Sequence, residues 1–355
     1  MNRQLVDEIV HAVLYEGYIL YPYRPSVKNQ QRWTLGGLYP EPYAAAQRGS
    51  DASTLQAECV VLGTAETSVD VSVRFLHLVD RTVGELDPPL ASMPDGGDPA
   101  FRPVEWLDVG PHHYQPWQEA VERDVNLRPL TLRELVDAPR QQAFTFARER
   151  HVEPLRAADG RFVGVLVRER QEIVGSIDVS AVPVDGGAFK LTVRVANRTD
   201  LVDGARRTRD EALTRSLVST HAVLALRGGE FVSLTDPPER WLAAVDDCHN
   251  VGTWPVLVGD HGERDTMLAS PIILYDHPQL APESPGDLFD ATEIDEILSL
   301  RILALTDDEK RIAAALDDRA RAMLDRTESL AREQLASLHG TIREMKPAAA
   351  NGGAP

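Results

Sequence analysis

Three runs rich in valine and isoleucine, at 162–168, 173–184 and 188–197, do most to narrow what this chain can fold into. Branched side chains are stiff at χ1 and pack well on a pleated surface, so such runs favour strands over helices. Between the second and third runs stands Asp185-Gly186-Gly187. These residue types supply the positive φ of a tight hairpin turn, so the flanking runs are predicted to be antiparallel neighbours. Further strands are predicted at 217–226, 231–234, 254–258 and 272–275, and upstream at 55–63 and 69–79. In the last of these, Val69, Val71, Val73 and Phe75 alternate with Asp70, Ser72 and Arg74. That period of two belongs to a half-buried strand. Many short strands joined by turns predict an antiparallel sandwich or half-barrel rather than a parallel sheet wrapped in helices.

Helices are expected at the two ends. Leu5, Ile9 and Val13, with Val6, Val10 and Leu14 beside them, share one side of a short amphipathic helix over 2–16, ending before Gly17. Near the other end, Thr306-Asp307-Asp308-Glu309 is a capping box. Its threonine hydroxyl accepts from a free backbone N–H while the glutamate reaches back. The helix it opens is predicted to run to about Met345. Leu324, Ala331, Leu338 and Met345 recur every seven residues, with Leu335 and Ile342 as a companion row. Such a narrow seam packs on one other element, either along the β-rich body or against another helix in self-association.

The predicted fold class is therefore α+β: β-rich, antiparallel, sandwich-like domains with a short N-terminal helix and a long C-terminal one. The expected divisions are an N-terminal α+β domain at 1–150, an antiparallel β domain at 151–280, and an acidic linker with the long helix at 281–346. A disordered tail is expected at 347–355. The Pro-, Gly- and Asp-rich segment 86–103 is expected to be a mobile loop. Between 104 and 150, Trp106, Tyr114 and Trp117 are candidate anchors and 130–136 a helical turn.

A net charge of −18 disfavours nucleic acid and anionic membranes as partners. The densest basic cluster, Arg206, Arg207 and Arg209, reads as a solvated loop. Two cysteines, Cys59 and Cys248, give no disulfide framework. The N-terminus lacks the apolar core of a secretory signal, and no window holds 18 consecutive apolar residues, so the expected location is cytoplasmic with no membrane span. GxGxxG, GxxxxGK[ST] and GxSxG are all absent from the sequence, leaving nucleotide binding and a nucleophile elbow without support.

Two stretches could carry function. Residues 18–43, YILYPYRPSVKNQQRWTLGGLYPEPY, combine aromatic rings, prolines and three cations without any amphipathic period. They read either as a loop capping the core or as a recognition surface, because Tyr, Trp and Arg dominate interface hot spots. As a docking face the expected residues are Tyr21, Tyr23, Arg24, Lys28, Arg32, Trp33 and Tyr39. The second stretch is Asp246-Asp247-Cys248-His249-Asn250. With His261 and His277, Cys248 and His249 offer thiolate and imidazole ligands suited to zinc, nickel or copper. Their spacing does not match a closed zinc site, and no motif requires a cofactor. The alternatives are a packed cysteine with surface histidines, or cysteine-dependent catalysis, in which adjacent residues of a strand would point apart. His112-His113 reads as a solvated turn, and the acids at 287–296 as complements to a helix dipole.

Three stretches together carry a resemblance: ILYPYRPSVKNQQRWTLGGLYP at 19–40, CHNVGTWPVLVG at 248–259, and SPIILYDHPQLAPESPGDLFDATEIDEILSLRILALTDDEK at 270–310. They resemble a protein family associated with operons of oxygen-tolerant, high-affinity NiFe hydrogenases. The resemblance implies a non-catalytic accessory role in assembly, maturation or stabilisation. The implied partner is a hydrogenase subunit or maturation factor, and no catalytic residue is implied.

Overall fold

In the computed structural model the described residues are 3–15, 36–47, 49, 51–184 and 186–278, with 306, 310, 321, 324 and 325 further along. Strand β1 (Thr54–Leu90) is 37 residues long and organises the sheet. Drawn straight at ~3.3 Å per residue it would exceed ~100 Å, whereas a compact chain of this length has a radius of gyration of only about 20 Å. It therefore coils, changing partners as it goes. Along one edge it pairs with β11 (Ala188–Asn197), β6 (Leu130–Thr131), β5 (Trp117–Asn126) and β2 (Arg102–Val104). Along the other it pairs with β12 (Val218–Phe231) and then β9 (Phe162–Arg170). Beyond these lie β10 (Ile173–Val184) and β7 (Arg140–Phe146) next to β11, and β14 (Thr266–Ser270) and β13 (Trp254–Leu257) next to β12. β8 (Glu149–Arg156) flanks β9, and β3 (Leu107–Val109) with β4 (His112–Tyr114) makes a separate hairpin. Every pairing between these strands is antiparallel, so the antiparallel, β-rich class is what the described chain adopts.

Alternation decides which side of β1 is buried with what. Leu55, Ala57, Cys59, Val61, Val69, Val71, Val73 and Phe75 share the main core with β10, β11 and β12. Phe144 and Phe146 of β7 close over it, their rings 6.0 and 5.8 Å from Phe75. Helix α1 (Arg3–Leu14) lays Val6, Ile9, Val10 and Val13 on Val256, Val258 and Leu268, covering the outside of the sheet.

The two runs predicted at 55–63 and 69–79 are one strand with an irregularity between Gly63 and Ser68. There the Thr67 hydroxyl accepts from Thr64 N–H at 2.9 Å and donates to the Gly228 carbonyl at 2.8 Å. The bulge shifts the register without ending the strand. The hairpin between β10 and β11 has the predicted ends, with Gly186 at φ +87° and Gly187 at φ +81°. The run at 272–275 is not a strand. Pairing ends at Ser270; Leu274 is buried and Ile272 packs partly against the same cluster, leaving Ile273 and Tyr275 exposed. Segment 86–103 begins as strand, since β1 reaches Leu90. One sheet also runs across residue 150, where composition places a boundary, because β1 bonds β5 before it and β9, β11 and β12 after it.

The turn expected at 130–136 is helix α3 (Leu132–Asp137), which follows the short α2 (Glu41–Ala44) in chain order. Thr131 and Glu134 form its capping box, and Leu132 and Leu135 enter the main core. His112-His113 lies in β4, with His113 Nδ1 2.7 Å from Asp108 Oδ1, so the expected solvated turn is a short hairpin. Most of the expected C-terminal helix, and the acids at 287–296, lie outside the described residues. Within that region Lys310 N–H bonds the Thr306 carbonyl at 2.9 Å, and Leu324 is buried with Leu14, Tyr43 and Trp117.

Candidate functional site

The Asp246–Asn250 segment follows α5 (Leu242–Asp246) and lies against β1 and β11; α4 (Arg209–Leu213) precedes it in the chain. Glu58, only 8 % exposed, is the anchor. Its carboxylate accepts from the Thr192 hydroxyl at 3.0 Å and the His249 backbone N–H at 2.8 Å. Lys190 Nζ lies 3.7 Å from Glu58 and 2.6 Å from Asp247 Oδ2. Glu58 N–H donates to Asn250 Oδ1 at 2.7 Å, and Gln56 Nε2 to the His249 carbonyl at 3.0 Å. Gln56 and Val251 exchange backbone bonds at 2.9 Å. A segment whose residue types suggest chemistry is thus consumed in docking a loop.

Cys248 packs beside Val60, Ala188 and Trp241, its thiol donating to the Ala244 carbonyl at 3.5 Å. Burial first, and then the charge of Glu58, push this thiol up to about 11. Cys59 belongs to the core on the other face of β1, where burial also raises its pKa. A nucleophilic cysteine needs the opposite environment, one that favours thiolate.

His261 and His277 meet elsewhere, with ring centroids 5.4 Å apart. Next to His277, Asp276 accepts from Thr235 Oγ1 at 2.8 Å, from Ser233 Oγ, and from Leu257 N–H at 2.8 Å. It ties the chain after β14 to β13. Among the described residues no group of three or more His, Cys, Asp or Glu side chains is disposed to hold a metal ion. The expected set of Cys248, His249, His261 and His277 is therefore not assembled: the first two belong to the Glu58 dock and the others to the Asp276 clip.

Of the expected docking face, Tyr21, Tyr23, Arg24, Lys28, Arg32 and Trp33 lie outside the described residues. Tyr39 is 2 % exposed and so is a packed residue, not a presented one. Its ring sits 5.3 Å from that of Tyr43, with the Arg209 guanidinium 5.4 Å over its face. Burial pushes its phenol far above the ordinary range. The backbone beside it is fixed by Asn197, whose side-chain amide donates to the Leu38 and Arg215 carbonyls, both at 2.8 Å.

One concave site emerges that the sequence does not announce. β12 leaves β1 at Leu76 and β9 joins the same edge at Asp80. Beside this gap lies a cleft of about 500 Å³, lined by Asp80, Gln118, Asp200, Asp210, Glu211 and Arg215 among others. Burial raises the pKa of Asp80, Glu169 and Asp210 add to the rise, and a hydrogen bond from Gln118 at 3.1 Å opposes it. Arg207 pairs with Glu211 at 3.0 Å, and Arg215 donates to Gln171 Oε1 at 2.9 Å. The lining holds four carboxylates against two guanidiniums, so it suits a cationic group better than an anion. The basic loop 206–209 is not simply solvated: Arg207 joins this wall and Arg209 covers Tyr39. No spacing in the sequence links Asp80, Gln118 and the 200–215 loop, because only sheet pairing brings them together.

Neither protein-family models nor curated proteins gave a match to this chain. No helix among the described residues is long and apolar enough to cross a membrane.

Proposed function

We propose that this protein is a non-catalytic accessory factor that acts through protein–protein contacts on a NiFe hydrogenase subunit or maturation intermediate. The resemblance of residues 19–40, 248–259 and 270–310 supplies the partner class. The observation that carries the non-catalytic part is the state of the Asp246–Asn250 segment. Its thiol is packed with a raised pKa, and its polar groups dock a loop through Glu58. Exposed aromatic residues, Trp106 at 58 % and Tyr275 at 79 %, add the side-chain types that anchor protein interfaces.

Tyr21, Tyr23, Arg24, Lys28, Arg32 and Trp33 remain the proposed docking residues, without Tyr39. The test is purification of the tagged full chain from its native host, with and without Arg24→Ala and Trp33→Ala together. Recovery of a hydrogenase subunit or maturation protein with the wild type alone, at equal melting temperature, is the expected result. Recovery of the chain by itself from cells making active hydrogenase would overturn the proposal.

A further inference from the structure

The sheet ends on one side in a long edge. β7 and β8 follow one another with only Ala147 and Arg148 between, pairing with β10 and β9 in turn. Exposed sheet edges recruit other strands unless charge, proline or a cover blunts them. β8 is blunted by Glu149, Arg150, Glu153 and Pro154. The β13 edge is closed by Asp276, which accepts from Leu257 N–H, and by His277, whose N–H reaches the Leu257 carbonyl at 2.7 Å. β5 carries Glu119, Glu122, Arg123 and Asp124.

Among the described residues β7 has only one of these devices, the charge of Arg140 at its start. After Arg140 it reads Gln-Gln-Ala-Phe-Thr-Phe, with no charge, proline or glycine. Among the described residues β10 is its only strand neighbour, and Arg140, Gln141, Ala143 and Thr145 are exposed. A side-chain bond from Gln142 to the Asn126 carbonyl, at 3.4 Å, touches it from the inner face. The strand is also held firmly. Phe144 and Phe146 sit 6.0 Å apart against Phe75, Arg123 lies 4.5 Å over Phe146, and a Cβ at Gly175 would meet the Phe144 ring at 2.2 Å. A fixed edge is a preformed template.

The side-chain pattern names the occupant. Gln142, Phe144 and Phe146 face the core, and Gln141, Ala143 and Thr145 face outward, paired with Asp178, Ser176 and Val174. An added strand must therefore be apolar or aromatic inward and small or polar outward. β7 of a second copy meets that demand. Laid antiparallel about Ala143, it sets Gln142 opposite Phe144 and Arg140 opposite Phe146 on the inner face. On the outer face, Gln141 falls opposite Thr145 and Ala143 opposite itself. No like charges face each other, and each phenylalanine gains a cation or amide partner. We propose that two copies of this chain join through β7, edge to edge and antiparallel about Ala143, into one continuous sheet. A seven-residue strand pair is at the small end of interface sizes, so the dimer is reversible and concentration-dependent. The inference does not depend on the proposed function.

The experiment uses the full chain. Sedimentation velocity from micromolar to about 1 mM should show a concentration-dependent dimer. Ala143→Lys, which sets two cations face to face across the axis, should raise the dissociation constant roughly tenfold or more without changing the melting temperature. Mild oxidation should cross-link Ala143→Cys protein faster than Thr145→Cys protein. A mixture of Gln141→Cys and Thr145→Cys proteins should cross-link as fast as Ala143→Cys. A chain monomeric throughout that range overturns the proposal. So does a dimer that Ala143→Lys leaves intact, which would locate self-association elsewhere, as on the C-terminal helix. Cross-linking equal for Ala143→Cys and Thr145→Cys also overturns it, and that comparison stands even if Ala143→Lys misfolds.

Discussion

Glu58 and His249 lie 191 residues apart in sequence and meet where the Glu58 carboxylate accepts the His249 backbone N–H at 2.8 Å. The contact fastens the loop after α5 to the first strand of the sheet. A buried carboxylate is stable there because it receives several donors at once, from Thr192, His249 and the nearby Lys190. Removing it leaves the Thr192 hydroxyl and the His249 N–H without that acceptor.

Glu58→Ala should therefore destabilise the fold by about 1–3 kcal/mol, the cost of leaving two partly buried donors without an acceptor, while Lys190 keeps Asp247. Glu58→Gln keeps one acceptor oxygen and should cost less than Glu58→Ala. Urea unfolding at neutral pH measures both. Stability of Glu58→Ala within 0.5 kcal/mol (about the scatter of surface substitutions) would show that the loop is not anchored this way.

A second prediction concerns acid. His77 and His221 are fully buried on β1 and β12, and burial lowers each pKa to about 4. His77 Nε2 faces the Gln171 carbonyl at 2.9 Å, with Arg123 and Arg170 nearby disfavouring its charge. His221 Nδ1 faces the Ser219 carbonyl at 2.7 Å, with Arg74 nearby acting in the same sense. Between pH 6.5 and about 4 the unfolded chain binds these protons and the folded one does not. Stability therefore falls as pH drops through that window, by up to on the order of 3 kcal/mol per histidine. Urea midpoints measured from pH 7 to 4 should show the fall, and His77→Gln with His221→Gln should flatten it. An unchanged slope in the double variant would mean that carboxylates alone set the acid limb.

The cysteines give a third prediction. With Cys59 enclosed in the core and the Cys248 thiol raised to about 11, neither presents thiolate at pH 8. Ellman's reagent should label the native chain far more slowly than the same chain in denaturant, and Cys248→Ser should leave the native rate unchanged. Rapid labelling of one thiol per chain, abolished by Cys248→Ser, would restore Cys248 as a reactive group.

How much of this was legible beforehand differs by element. β10 and β11 match the expected runs to their ends because branched side chains and a Gly-Gly turn are local signals. Helix α3 was expected only as a turn, although Thr131 and Glu134 make as good a capping box as the one read at 306–309. The capping box of α4, from Thr208 and Glu211, carries the same spacing. The bulge at 64–68 hid the continuity of β1, because Thr67 and two glycines shift the register without leaving a hydrophobic mark. Cys248 looked chemical because residue type is visible in a sequence and environment is not.

The sequence by itself determined the β-rich, antiparallel class and the amphipathic first helix. Both follow from periodicity and turn chemistry, which act between neighbours along the chain. Tertiary structure alone decided that one coiled strand joins the halves, that Tyr39 is enclosed, that Asp80 fronts a cleft, and that β7 has β10 as its only strand neighbour among the described residues. Those outcomes depend on which distant strands pair, and pairing is settled by the burial of whole faces rather than by any residue's nearest neighbours.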